Sequence, residues 1–451
     1  MALLIAFLVF LFSMVAAIFT GYSMIIALLV GLAAFSAAAA HKGFGFKEIS
    51  SMAVQGAKGS LIVIEVMCVI GLVTAAWRVS GTITIFVYYG MKIITPPLFL
   101  LIAFLLSCLL SYSLGTSFGV AGTVGVIFMT LARSGGVDPV ITAGVLMSGI
   151  YFGDRGSPVS SSANMVAGIT GTKIFDNVKL MMKSAVVPFI ITLAVYTVLS
   201  VMNPISHVDE ALVASFEREF LLSLWAFVPS VVMLVLPLLK VSVLISMGLS
   251  ILCAVAVAWL VQGVPLLEVF KICFVGYEAQ GEGLGIILNG GGLVSMLEIV
   301  FILLISSSYS GIFSGTGLLD DIQEKLSRAC TRFGRFTVLL LMSIGTAAVF
   351  CNQTIATLMC CDLLKKPYMD GHSSASIAPD ASDAVSMTEL AIDMENSVIL
   401  IACFIPWSIG CSVPLSFFGA DFHSLPFAVY MYTVPIFWLL TKKRWFAGKG
   451  I

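Results

Sequence analysis

The chain has 451 residues, of which 59% are hydrophobic and only 10% charged, with a mean hydropathy of +1.09. So little charge over such a length excludes a soluble globular fold and points to a helical protein that crosses a membrane many times. A formal net charge of −1 offers nothing to a nucleic acid.

The 10 cysteines are scattered, with neither C-x-x-C pairs nor metal-ligand spacing, and suit apolar packing in a reducing cell. Neither a phosphate-binding loop nor H-E-x-x-H is present, so ATP-driven pumping and zinc proteolysis have no support. No enzyme activity and no cofactor are expected.

Leu3–Phe19 and Ser23–Ala40 read as two short spans joined at Gly21-Tyr22. The start lacks a basic n-region and an A-x-A site, which favours a retained span over a signal peptide. His41–Gly59 carries Lys42, Lys47 and Lys58 against Glu48, and so reads as a cytoplasmic loop. Ser60–Val79 crosses outward with Glu65 embedded in it. Gly81–Thr95 reads as a lateral amphipathic segment, punctuated by Pro96-Pro97.

From Leu98 the apolar run continues to Leu131 but is interrupted at Ser111–Gly125 by SYSLGTSFGVAGTVG. Two crossings compete with a re-entrant hairpin at 98–132. Charge favours the hairpin, because a broken helix at 140–170 then runs inward and leaves Lys173, Lys179 and Lys183 in the cytoplasm. Ala185–Val201 returns outward, which closes a first unit at 1–205 and leaves an acidic linker, 206–219, outside.

The second unit, 220–451, starts with Phe220–Leu239, running inward to Lys240, and Val241–Val261, running outward. A loop with Glu268, Glu278 and Glu282 precedes Leu293–Phe313, which leads to a basic linker with Lys325, Arg328, Arg332 and Arg335. A second hairpin at 336–364 returns to Lys365-Lys366, and a second broken helix follows at 382–412. Leu425–Leu440 ends at Lys442-Lys443-Arg444. Both termini are then cytoplasmic, with roughly ten spans of ordinary length embedded in lipid.

The halves resemble one another. Ile64–Ile83 parallels Leu297–Leu319, each with a glutamate near its start (Glu65, Glu298) and a Ser-Gly-Thr near its end. Leu114–Gly122 parallels Phe350–Thr357, and the break at Asp154 parallels Asp393–Ser397. An odd number of crossings per half makes the halves inverted, as in many secondary transporters. The fold expected is an all-α polytopic membrane protein, an inverted-repeat secondary transporter with two re-entrant hairpins and two broken helices.

The most polar passage within an apolar surrounding is Tyr151–Thr172, YFGDRGSPVSSSANMVAGITGT. A transported cation sheds water and needs several oxygens at once, some of them anionic. Asp154, Ser157, Ser160, Ser161, Ser162 and Asn164 offer them from the first break, and Asp393, Glu395, Asn396 and Ser397 from the second. The hairpin tips add Ser113, Thr116, Ser117 and Thr123, with Asn352, Gln353, Thr354 and Thr357. Asp154 and Glu395 are the expected coupling carboxylates, each holding a proton or a cation by turns. Arg155 suits a solute carboxylate or a structural pair with Asp154. Some serines near Pro158 serve equally well to satisfy backbone groups freed by the break.

GDRGSPVSSSAN (Gly153–Asn164) resembles the GDKxSPLSDTTN signature of the NhaC-type sodium/proton antiporters of bacteria. GTSFGVAGTVGV (Gly115–Val126) and MENSVILIACFIPWSIG (Met394–Gly410) are similar to two further segments of that family. The resemblance implies a cation-coupled antiporter of the bacterial inner membrane, with sodium and protons as partners. Some members carry organic acids or amino acids instead, and a homodimer stays open. Three positions that are acidic in the family, 161, 352 and 396, are Ser161, Asn352 and Asn396 here. Those departures favour the organic-solute alternative; the rest of the resemblance favours sodium/proton exchange.

Overall fold

Apolar runs cut by glycine, proline and hydroxyl residues become helices here. Apart from one isolated bridge between Tyr277 and Gly290, the described residues form helices, turns and loops. The computed structural model describes residues 2–20, 22–58, 60–93, 96–205, 217–239, 241–279, 288–316, 323–370 and 379–446. The expected linker 206–219 lies outside them as far as residue 216, as do Lys240 and Glu282.

The first half contains α1 (Ala2–Thr20), α2 (Met24–His41), α3 (Phe46–Lys58), α4 (Leu61–Val79) and α5 (Thr82–Ile93). It continues with α6 (Phe99–Leu114), α7 (Ser117–Ser134), α8 (Pro139–Gly156), α9 (Ser161–Thr170) and α10 (Ile174–Met202). The second half contains α11 (Val228–Leu238), α12 (Val243–Leu260), α13 (Leu266–Val275), α14 (Leu297–Thr316) and α15 (Gln323–Phe333). There follow α16 (Arg335–Phe350), α17 (Gln353–Asp370), α18 (Pro379–Glu395), the single turn α19 (Val398–Ile401), α20 (Ile409–Phe418) and α21 (Val429–Phe446).

Among the described residues α2, α7, α10 and the Val294–Phe313 stretch are long and apolar enough to cross a membrane. Val385–Phe404 and Ile409–Phe418 meet at 55° and make a fifth span if taken together. Helices α6 and α16 are apolar but stop after 16 residues, each for the same local reason.

That reason is a left-handed residue. Helix α6 ends at Gly115 (φ 65°), and Thr116 then caps α7 by accepting from the Gly119 N–H. Helix α16 ends at Cys351 (φ 55°), and Asn352 Oδ1 caps α17 by accepting from Thr354 N–H at 2.9 Å. Each chain then doubles back. The Phe99 ring, at the start of α6, lies 6.2 Å from the Phe128 ring in α7. Arg335, at the start of α16, donates to the carbonyl of Tyr368 near the end of α17 at 3.2 Å.

Each tip abuts the break of the helix that follows it. A Cβ on Gly115 would lie 2.5 Å from the carbonyl carbon of Val159. In the other half the Ile409 N–H donates to the Cys351 carbonyl at 2.8 Å. Ser157 Oγ donates to Tyr112 O at 2.5 Å, and Trp407 Nε1 donates to Ala348 O at 2.7 Å. Tyr112 and Ala348 each precede the left-handed residue by three positions, so each break satisfies the same freed carbonyl of its own hairpin.

Close helix contacts rest on small residues. Helices α6 and α8 run parallel, with Gly149 against Ser107 and Gly153 against the Ser111–Tyr112 backbone. The segment expected as a loop at His41–Gly59 instead forms α3. Its buried Ile49 and half-buried Met52, Ala53 and Gly56 make one face, while Lys47, Glu48, Gln55 and Lys58 are exposed. Gly56 meets Gly311 of α14 backbone to backbone, a contact that a loop could not maintain. The segment expected at Gly81–Thr95 contains helix α5, whose first residues, Thr82, Ile83, Thr84 and Ile85, are all buried.

Candidate cation site

Asp154 sits in the last turn of α8, and the chain breaks at Ser157–Ser160 around Pro158 before α9 begins. Ser160 caps α9, accepting from the N–H groups of Ser162 at 3.1 Å and Ala163 at 3.3 Å. The side chain of Asp154 is thereby held at the break and buried. Its carboxylate accepts from Ser162 Oγ, 3.2 Å from both oxygens, and from Ser160 Oγ at 3.5 Å. A further donor, Gln353 Nε2, comes from the tip of the other hairpin at 3.2 Å, and the same nitrogen donates to Ile399 O at 2.9 Å. The first break, the second hairpin tip and the second broken helix therefore meet on one carboxylate.

Several expected ligands serve the backbone instead. Ser157 Oγ donates to Tyr112 O, and Asn164 Nδ2 donates to Pro158 O at 2.9 Å and Ser160 O at 2.7 Å. Ser113, Thr123, Thr357 and Ser397 donate to backbone carbonyls at i−4. Thr116 and Asn352 are caps, Ser117 is buried in the first turn of α7, and Ser161 and Thr354 are exposed. Ser160 does both jobs, since its hydroxyl also donates to the Asp154 backbone carbonyl at 2.5 Å.

Arg155 turns away from its neighbour, and no ion pair joins it to Asp154 among the described residues. Fully buried, it donates to Tyr430 Oη and Ser184 Oγ at 2.8 Å, to Met181 O at 3.1 Å and to Asn396 Oδ1. Both terminal nitrogens are committed to the protein. In this arrangement Arg155 clamps α8 to α10, α21 and the second break, and is not the free guanidinium that a solute carboxylate needs.

Glu395 closes α18 beside this clamp. It is wholly buried, lies within electrostatic reach of Arg155 and Asp154, and has no hydrogen-bond partner on either oxygen among the described residues. The Nδ2 of Asn396 is likewise buried without a partner among the described residues.

Asp393, grouped with these residues on sequence, belongs elsewhere. It accepts from Tyr368 Oη at 2.5 Å and Trp438 Nε1 at 2.7 Å and pairs with Lys442. Lys442 also pairs with Glu389 at 2.6 Å, and Arg335 reaches Glu389 at 3.1 Å. Residues 389 and 393 are one turn apart on α18, and 395 falls on another face. Glu65 and Glu298 are exposed on α4 and α14.

A family model described as the Na+/H+ antiporter family matches residues 149–441, more than half of the chain. The chain belongs to that family. Among its relatives, the Na+/H+ antiporter NhaC of Alkalihalophilus pseudofirmus is 26% identical over 403 residues, covering 88% of this chain and 85% of that protein. A malate-2H+/Na+-lactate antiporter of Bacillus subtilis is 24% identical over 375 residues, covering 81% and 77%. An arginine/ornithine antiporter of Halobacterium salinarum is 26% identical over 403 residues, covering 84% and 78%. Membership makes this a multi-pass membrane antiporter, and sodium/proton exchange is the activity that goes with it.

Where the antiporter resemblance leads one to expect acids, the neutral residues have neutral tasks. Asn352 caps α17, Asn396 accepts from Arg155, and Ser161 is exposed. Sequence reasoning missed Ser184, Tyr430 and Tyr151, whose hydroxyl donates to Gly410 O at 2.5 Å. Their only signal was a polar atom within an apolar helix, which many hydroxyl residues in this chain share.

Proposed function

We propose that this antiporter exchanges sodium for protons at one buried locus, where Asp154 and Glu395 hold either ion in turn. The observation that carries the reading is Glu395, wholly buried in reach of Asp154, with two oxygens that find no partner among the described residues. Arg155, whose terminal nitrogens are spent on other acceptors, offsets a charge there only in part. An incompletely paired buried carboxylate costs several kcal/mol, so the group holds a proton or meets a further cation. The Ser160 and Ser162 hydroxyls, which now donate to Asp154, can rotate and offer lone pairs to a cation instead. Proton and sodium then compete for the same carboxylates, and that competition is the coupling.

The site residues come from both halves, which supports access that alternates by movement of one half against the other. The matched tips at Gly115 and Cys351, with their equivalent bonds from Ser157 and Trp407, support an inverted repeat with two re-entrant hairpins. The lysines of α3 and of the start of α10 favour cytoplasmic termini in a bacterial inner membrane. An organic acid or amino acid as solute finds less support at this locus, because the terminal nitrogens of Arg155 are already committed.

The test is purified protein in liposomes with a trapped pH dye. An imposed sodium gradient should drive proton movement, and both Asp154→Asn and Glu395→Gln should abolish it while folding normally. Wild-type flux in both variants would refute the locus. No sodium-driven proton flux in the wild type, with uptake of a labelled organic acid, would replace the activity.

A further inference from the structure

A second polar cavity lies away from the cation locus, between α4, α7, α20 and the Asn289–Met296 turn. It measures about 240 Å³ and is lined by Arg78 and Arg133, together with Thr74, Thr130, Asn289 and Ser416. Thr130 stands about 20 Å along α7 from Ser117 at the tip, taking about 1.5 Å per residue, so this cavity and the Asp154 locus occupy opposite ends of that helix.

Its charge is unbalanced. Arg78 is 7% exposed and close enough to Arg133 for the two cations to repel. Arg78 Nη1 donates to Thr74 O at 2.9 Å, yet its Nε is buried with no partner among the described residues. Arg133 donates to Phe418 O at 2.6 Å and Gly419 O at 2.9 Å, both neutral acceptors. No carboxylate stands among the described residues that line the cavity. Two guanidinium groups held together against repulsion, one with an orphaned buried N–H, are arranged for an anion that arrives from outside.

The wall beside Arg78 is made by Gly290 and Gly291, both with positive φ (118° and 75°). A Cβ on Gly291 would lie 2.8 Å from Ala75 N, so only glycine lets this turn close over α4. The turn thus shapes the chamber that the arginines share. At about 240 Å³ the cavity exceeds what one halide ion needs, and its two guanidinium groups offer two anion positions within one space. We infer that this cavity binds a small organic dicarboxylate, with Arg78 and Arg133 each taking one carboxylate. The site is independent of the cation locus, and neither sodium nor protons require it.

The experiment measures saturable binding to the purified wild-type protein in detergent, by calorimetry and by melting temperature, with succinate as the probe. Succinate should bind and raise the melting temperature, while sodium sulfate and sodium chloride at matched ionic strength should not. Arg78→Gln should abolish binding, and Arg78→Lys, which keeps charge but not the planar fork, should weaken it at least ten-fold. If Arg78→Gln proves unstable, Arg78→Lys alone carries the test. Asp154→Asn, which removes the exchange proposed above, should bind succinate like wild type. Absence of succinate binding to wild type, equal effects from sulfate or chloride, or undiminished binding to Arg78→Lys would each overturn the dicarboxylate site. Loss of binding in Asp154→Asn would overturn its independence.

Discussion

Asp154 and Arg155 are neighbours in sequence with opposite charges, yet their side chains serve different ends. Asp154 is held by Ser160, Ser162 and Gln353, while Arg155 satisfies carbonyl, amide and hydroxyl acceptors on other helices. Asp154→Asn therefore breaks no ion pair. The expected outcome is a protein with a melting temperature near that of wild type and no sodium-driven proton flux in liposomes. Asp154→Glu should keep some flux, with a shifted pH profile, because the charge survives about one methylene away. Since proton and sodium compete, the sodium concentration giving half-maximal flux should rise in wild type as the medium is acidified, and initial rates over a pH series measure that. Lys442 is the contrasting case. It compensates both Glu389 and Asp393, which are almost entirely buried. Lys442→Ala leaves Asp393 without its cation and Glu389 with Arg335, and should cost about 3–5 kcal/mol, read as a fall in melting temperature or in folded yield.

At the level of elements, the breaks were legible and their partners were not. Pro158 between Gly156 and a run of serines announces a helix end, and α8 does end at Gly156. Gly115 in a polar interruption announces a turn in the same way. Cys351 gives no such sign, because a left-handed cysteine has no distinctive sequence pattern, and only its place opposite Gly115 suggested a tip. The loop expected at His41–Gly59 contains helix α3, because Ile49, Met52, Ala53 and Gly56 recur at helical spacing and make a face that packs on α14. A count of lysines does not address that face. Gly153 is the element-level test. A Cβ there would fall 2.0 Å from the carbonyl carbon of Ser111, so Gly153→Ala must push α6 off α8. The strain should cost about 1–3 kcal/mol or more and disturb the neighbouring Asp154. Thermal stability and flux should therefore drop together, in contrast to Asp154→Asn, where flux alone drops.

At the level of the whole molecule, the proposed inverted arrangement predicts sidedness. In right-side-out vesicles a cysteine placed at exposed Glu268 should react with an impermeant maleimide, and one at exposed Lys325 should react only after the membrane is opened. Reaction of both from one side would defeat the arrangement. Composition by itself determined that the chain lives in lipid, because a tenth of charged residues cannot solvate 451. Local chemistry determined where α8 breaks and that Asp154 stands at the break, since glycine, proline and hydroxyl residues act on their own backbone. The tertiary structure alone decided that Gln353, 199 residues away, reaches Asp154, that Asp393 pairs with Lys442, and that Arg78 and Arg133 share a cavity. Those pairings depend on how each helix is rotated and seated against its neighbours, and packing sets that rotation across the whole bundle, where no local pattern encodes it.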